Sequence, residues 1–209
     1  MNDKIKAVVL CSGGMDSVTV LAIANEQGFH CHVLFVDYGQ KVIENERRAS
    51  QIAAQKIGAK WKEFKLPLSE LTKTSLIHSE GETEVQGRNA VLLGLASSYA
   101  QTIGATTVFI GIQEEDVNYG DAKPEFFNYM NQALLAAYKI KLKAPLLYKN
   151  KAEIFQLAYQ MQLNLDDTYS CYFDPEGSCG NCPSCKVRNY AEKMFKEGKI
   201  TEYKSPKKG

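Results

Sequence analysis

Cys11-Ser12-Gly13-Gly14-Met15-Asp16-Ser17 sets two glycines, two hydroxyls and a carboxylate between an apolar run and a helical pattern. At the start of a helix, unpaired backbone N–H groups and the helix dipole favour an anion. Gly13 and Gly14 let the backbone approach phosphate, Ser12 and Ser17 add hydroxyl donors, and Asp16 suits either Mg²⁺ or a helix cap. No Gly-Lys-Ser/Thr follows, so this is not a Walker loop, and the three-glycine dinucleotide spacing is absent. An ordinary capped strand-to-helix turn uses the same residue types. A second constellation, Cys171-x7-Cys179-x2-Cys182-x2-Cys185, offers four thiolates within fifteen residues of turn-rich sequence. Four sulfurs close a tetrahedral shell, which points to a structural Zn²⁺ site in a reducing compartment. The spacing matches neither common ferredoxin pattern, and a Cys182/Cys185 redox pair would leave Cys171 and Cys179 without a role. Cys11 and Cys31 stand apart on or beside apolar runs and read as small buried hydrophobes.

These groups need a scaffold. Ile5–Leu10, Cys31–Val36 and Thr107–Ile112 have the length and continuity of buried parallel strands, with Trp61–Lys65 a weaker candidate. Three-and-four spacing places Ser17, Val20, Leu21 and Ala24 on one helix face. The same spacing recurs for Ala49, Ile52 and Ala53, and for Leu92, Leu95, Ala96 and Tyr99. Alternating strand and helix predicts an α/β fold with a doubly wound parallel sheet and a ligand beyond the carboxyl ends of its strands. Further helices are expected from Pro124 and around Ile154, Leu157, Ala158 and Met161, separated at Pro145. Residues 66–87 carry no period and read as a loop or lid. Lys193–Gly209, with six lysines against two glutamates, reads as a solvated basic tail.

With 209 residues, 44% hydrophobic and 23% charged, the chain fits one domain with a sizeable core. A net charge of +1 gives no global field for nucleic acid. Ala7–Leu10 is too short to span a bilayer and no signal-peptide pattern opens the sequence, so a cytoplasmic protein with no membrane partner is expected. His30, His32 and His78 fit no base-and-nucleophile arrangement and read as structural.

The Ser12–Ser17 string resembles the pyrophosphate loop of the N-type ATP pyrophosphatases, or PP-loop enzymes. In that family the loop grips the β and γ phosphates while a substrate atom attacks the α phosphorus. Together with the cysteine quartet, the resemblance narrows to the 7-cyano-7-deazaguanine synthase family. It runs through Asp37-Tyr38-Gly39-Gln40, Gly87-Arg88-Asn89, Gly111, Lys151-Ala152-Glu153-Ile154 and Ser170-Cys171-Tyr172, in family order. It implies one adenine nucleotide alpha hydrolase-like domain over 1–209, with a nucleotide-binding core at 1–115, a substrate and zinc region at 116–192 and the tail at 193–209. It implies ATP, Mg²⁺ and Zn²⁺ as cofactors, and a homodimer. The implied reaction takes the carboxylate of 7-carboxy-7-deazaguanine through an adenylate and an amide, with ammonia, to the nitrile precursor of queuosine and archaeosine. ATP contacts then fall on Leu10, Ser12, Gly13, Gly14, Asp16, Ser17, Val36, Asp37, Tyr38 and Gly111, and catalysis on Asp16, Ser17, Arg88 and Lys151. Substrate contacts fall on Arg88, Asn89, Tyr119, Asp121 and Lys123, and metal ligation on Cys171, Cys179, Cys182 and Cys185. Without the resemblance, Arg88 reads as a helix-terminal cation, Lys151 as an exposed partner of Glu153 or Glu197, and Asp37-Tyr38 as a turn cap with a packed ring.

The departures from the family lie on the substrate side. Where relatives carry serine-glycine-tyrosine-proline-aspartate-cysteine-arginine, this chain reads Val117–Phe126, with Tyr119 and Asp121 kept and Lys123 replacing the planar arginine fork. Phe173-Asp174 replaces asparagine-glycine, and Gln86 replaces a proline before Gly87. QueC-like relatives in antiphage operons couple a deazaguanine to a protein amine, which would stop at the amide and make a protein the acceptor. RNA thiolation is a further alternative, opposed by the charge balance and the lack of an appended RNA-binding domain. A zinc-stabilised interaction module with a decayed loop is opposed by the intact Ser12–Ser17 string.

Overall fold

The computed structural model describes residues 5–68, 74, 76–77, 85–114, 116 and 119–199. Five parallel strands, β1 (Lys6–Leu10), β2 (His30–Asp37), β3 (Lys60–Lys65), β4 (Thr107–Phe109) and β5 (Lys141–Lys143), form one sheet in the order β3-β2-β1-β4-β5. Helices α1 (Met15–Glu26), α2 (Ile43–Lys56), α3 (Arg88–Ile103), α4 (Pro124–Tyr138), α5 (Lys151–Gln160) and α6 (Pro183–Lys196) surround it. The central strands are apolar on both faces because helices cover both. Val8, Leu10, Leu34, Val36, Val108 and Ile110 pack with α3 and α4 residues such as Leu93, Ala96, Phe127 and Leu134. Ala7, Val9, Cys31, Val33 and Phe109 pack with α1, α2 and α5 through Val20, Leu21, Ala53 and Ile154. That strict alternation is the period of two that strands impose. Full burial of each such side chain contributes about 1.5–3 kcal/mol, so the two seams dominate the fold's stability.

The chain winds outward from β1 to β3, then returns to the other side of β1 at β4, so the topological switch point lies between β1 and β4. Ligands of open α/β sheets bind there. The doubly wound sheet expected from the sequence is therefore the observed fold. Its third large apolar run is shorter as a strand than expected: β4 ends at Phe109, although the Ile110 N–H still reaches Lys143 O at 3.0 Å. Trp61–Lys65 is a full edge strand, and Pro145 opens a turn after β5, a strand that the sequence does not announce.

Of the expected loop at 66–87, Leu68, Leu76 and Val85 form a small buried cluster with Tyr38, Ile77 and Tyr172. Residues 69–73, 75 and 78–84, with His78, lie outside the described residues, as do Val117 and Asn118 and the tail from 200 onward. Residues 193–196 belong to α6. Among the described residues no helix is long and apolar enough to cross a membrane.

Candidate active site

The glycine loop leaves β1 at the switch point and is braced from three sides. Gly13 has φ +85°, and a Cβ there would lie 2.6 Å from both Ala49 Cβ and Glu46 O, so only glycine lets α2 close onto the loop. From α2, the buried Ser50 hydroxyl donates to Cys11 O at 2.8 Å. Gly111, just past β4, meets the backbone of Asp16 and Ser17 so closely that a Cβ would stand 3.2 Å from Ser17 N. The Tyr169 N–H donates to Gly13 O at 2.9 Å, tying the cysteine region to the same loop. Within the loop, the Ser17 hydroxyl donates to Gly14 O at 2.9 Å and stands 3.4 Å from Ser12 Oγ. Gly14 is the residue before α1, so the first N–H groups of that helix open towards the loop.

Lys151 occupies the first position of α5, a helix capped by the reciprocal Asn150–Glu153 box at 2.9 and 2.8 Å. Glu153 is thereby committed to the cap, and Lys151, only 8% exposed, instead reaches both Asp16 oxygens at 2.6 Å. Beside this pair, burial together with the Asp16 charge pushes the Asp116 carboxyl up to about 6, against the pull of Lys151. Arg88 opens α3 after the left-handed Gly87, which offers no side-chain cap. Asp121 caps that helix from across the site, accepting from the N–H groups of Asn89 at 2.7 Å and Ala90 at 3.4 Å. So fixed, Arg88 lies over the Tyr38 ring and donates to its hydroxyl at 3.2 Å.

All of this converges on one cavity of about 260 Å³. Leu10, Ser12, Gly14, Asp16, Ser17, Val36, Tyr38, Arg88, Asn89, Gly111, Tyr119, Asp121 and Lys151, all expected at the site, line it. Gly13, Asp37 and Lys123 do not: Gly13 faces α2, and Lys123 is exposed at the start of α4. Asp37 closes a turn by accepting the Gly39 N–H at 3.0 Å and pairs with Arg47 at 3.5 Å. The cavity also gathers Glu46, Asp116 and Tyr169, which sequence reasoning missed. Glu46 is hidden in the charged run Glu44–Arg48 and Asp116 in a loop, and only the fold separates them from their neighbours. Cys11 and Cys31 are buried as expected, and burial raises the Cys11 thiol pKa. His30 is exposed and His32 is buried in β2.

The four expected metal-ligating cysteines converge as well, with their sulfurs all within 4.8 Å of one another. Four sulfurs at about 2.3 Å from one ion stand about 3.8 Å apart, so the cluster suits a single tetrahedral metal. A four-iron cube would spread its thiolates over separate irons. Backbone N–H groups of Asp174 and Cys179 donate to Cys171 Sγ at 3.4 and 3.5 Å, and that of Cys182 donates to Cys179 Sγ at 3.3 Å. Such bonds favour thiolates and, despite burial, bring the Cys171 thiol down to about 6. Cys182 is also the residue before α6 and its sulfur accepts the Cys185 N–H at 3.4 Å, so the cysteine cluster and the helix start are one structure.

A parallel 3-2-1-4-5 sheet with a glycine loop at its switch point has the architecture of the PP-loop, or ATP pyrophosphatase, class. Within that class the chain belongs to the family described as queuosine biosynthesis protein QueC, whose profile matches residues 6–196. It is 37% identical to a 7-cyano-7-deazaguanine synthase of Thermoplasma volcanium, over 88% of this chain and 84% of the relative. It is 36% identical to one of Clostridium kluyveri, over 96% of each chain. The U34-tRNA thiolase NcsA of Methanococcus maripaludis shares the fold at 16% identity, with a TM-score of 0.54 over 94% of this chain and 68% of that one.

Proposed function

We propose that the protein is an ATP-dependent ligase that makes 7-cyano-7-deazaguanine from 7-carboxy-7-deazaguanine and ammonia. The observation that carries this reading is the single cavity joining the glycine loop and the Asp16–Lys151 pair to an end built from Arg88, Tyr119 and Tyr172. One end suits a triphosphate and the other a flat ring with a carboxylate. A carboxylate is a poor electrophile. Its oxygen attacks the α phosphorus, pyrophosphate leaves, and ammonia then displaces AMP to give the amide. The amide oxygen attacks a second ATP, and loss of AMP with the two nitrogen-bound protons leaves the nitrile.

No covalent enzyme nucleophile is required, and the chain's part is to position and neutralise. Backbone donors at Gly14 with the Ser12 and Ser17 hydroxyls hold phosphate, while Lys151 and Arg88 offset charge developing on pyrophosphate. Asp16 would hold Mg²⁺, which supplies further neutralisation when bound. Asp116, with its raised pKa, can take the proton that ammonium or the amide must lose near neutral pH. Cys171, Cys179, Cys182 and Cys185 would hold a structural Zn²⁺ that anchors α6. Mass spectrometry after incubation with Mg-ATP, 7-carboxy-7-deazaguanine and ammonia tests the reading. Free nitrile is expected, whereas product stopping at the amide, or a deazaguanine attached to a protein, would overturn it.

A further inference from the structure

Glu46 projects from the first turn of α2 into the cavity, and its surroundings leave it with a task. Its own backbone carbonyl packs against Gly13, so the position of the side chain is fixed relative to the phosphate loop. Gln40 has its carbonyl oxygen occupied by the Tyr38 N–H at 2.9 Å and gives an N–H to Val36 O at 3.3 Å. It therefore presents an N–H to Glu46 Oε2, at 2.7 Å, and Glu46 is held as an acceptor. Among the described residues this is the one hydrogen bond its side chain makes. The neighbouring carboxylates are otherwise engaged: Arg47 takes Glu63 at 2.8 Å, Glu44 at 2.5 Å and Asp37 at 3.5 Å. Arg88, whose charge reaches Glu46, directs its hydrogen bond to Tyr38 instead. A partly buried carboxylate that lines the cavity with one neutral donor lacks the paired N–H donors that would stabilise it.

Resting on the function proposed above, we infer that Glu46 is the specificity-determining carboxylate that takes the ring N1–H and the 2-amino N–H of the deazaguanine. That edge carries two adjacent donors, which match the two oxygens of a carboxylate as an arginine fork does. The cavity must also sort two related bicyclic rings, the deazaguanine and the adenine of ATP. Adenine has no N–H at its ring N1 and no 2-amino group, so only the deazaguanine edge matches both oxygens of Glu46.

The test compares 7-carboxy-7-deazaguanine with its analogue lacking the 2-amino group, in the wild type and in Glu46→Gln. The wild type is expected to favour the amino compound by about 100-fold in kcat/KM, because the analogue leaves an acceptor in the cavity unpaired. Glu46→Gln is expected to lose about 100-fold on the amino compound and to bring the two compounds within a few-fold of each other, with KM for ATP within about twofold of wild type. Equal use of both compounds by the wild type would overturn the assignment, as would a variant that keeps the preference. Should Glu46→Gln fail to fold, the wild-type comparison of the two compounds decides alone. A wild type that neither binds nor converts 7-carboxy-7-deazaguanine would overturn the proposed function, and this assignment with it.

Discussion

A cation at the first position of a helix works against the dipole, and Lys151 is in addition almost buried. What offsets both costs is Asp16, whose carboxylate pairs with Lys151 at 2.6 Å beside the glycine loop. Asp16→Asn is expected to lower pyrophosphate release by at least about 100-fold while the circular dichroism spectrum stays native, since the substitution keeps the shape and removes the charge. Retained turnover would remove Asp16 from the mechanism. Glu46 yields a stability prediction of opposite character. Desolvation pushes its carboxyl up to about 7 from 4.5, with Gln40 and Arg88 pulling the other way and Tyr38 the remaining titratable neighbour. Because the folded state holds this proton more tightly, the stabilisation is full below pH 4.5 and is lost as pH rises to 7. Glu46→Gln should therefore melt higher than wild type above pH 7, by roughly 2–4 °C for about 1 kcal/mol, with the gap closing below pH 4.5. Differential scanning calorimetry across that range checks the sign.

Among the elements, α2 and α6 have the most particular seats. Gly13→Ala places a methyl group into Ala49 and the Glu46 carbonyl and forces a left-handed alanine, so it should cost at least about 2 kcal/mol and weaken ATP binding more than tenfold. Urea midpoints and ATP titration read the two losses separately. Cys182→Ser should cost metal and stability together, because its sulfur both joins the cluster and receives the Cys185 N–H at the head of α6. Retention of one metal per chain would show the four-sulfur site to be wrong. Elements with long apolar runs, β1, β2 and α3, were legible because burial on two faces leaves no room for polar residues. β5 was not, for in Lys141-Leu142-Lys143 a single buried leucine carries no period. α6 was obscured by its lysines and by cysteines that answer to a metal instead of a helix face. Within the site, the motif residues were legible and the partners brought in by crossovers were not. Nothing local distinguishes Glu46 from Glu44 until Arg47 is seen to take the latter.

At the scale of the whole molecule, the cysteine region and the glycine-loop end of the sheet are mechanically joined. Tyr169 holds the Gly13 carbonyl, Lys56 pairs with Asp167 at 2.5 Å, and Arg188 of α6 donates to Leu165 O at 2.7 Å and Ser170 Oγ at 3.2 Å. Phe195 adds a ring contact to Phe155 of α5, the helix that carries Lys151. Chelation of the metal should therefore speed amide hydrogen exchange over residues 165–196 and also at Gly13–Ser17, while β1 and β2 keep their protection. Faster exchange confined to residues 165–196 would show the two regions to be independent. The bracing of the glycine loop by Ala49, Ser50, Gly111 and Tyr169 has one more consequence, for the kinetics and heat of nucleotide capture. A loop already fixed by folding surrenders little freedom when ATP arrives, so association should follow a single exponential and calorimetry should show only a small entropic loss.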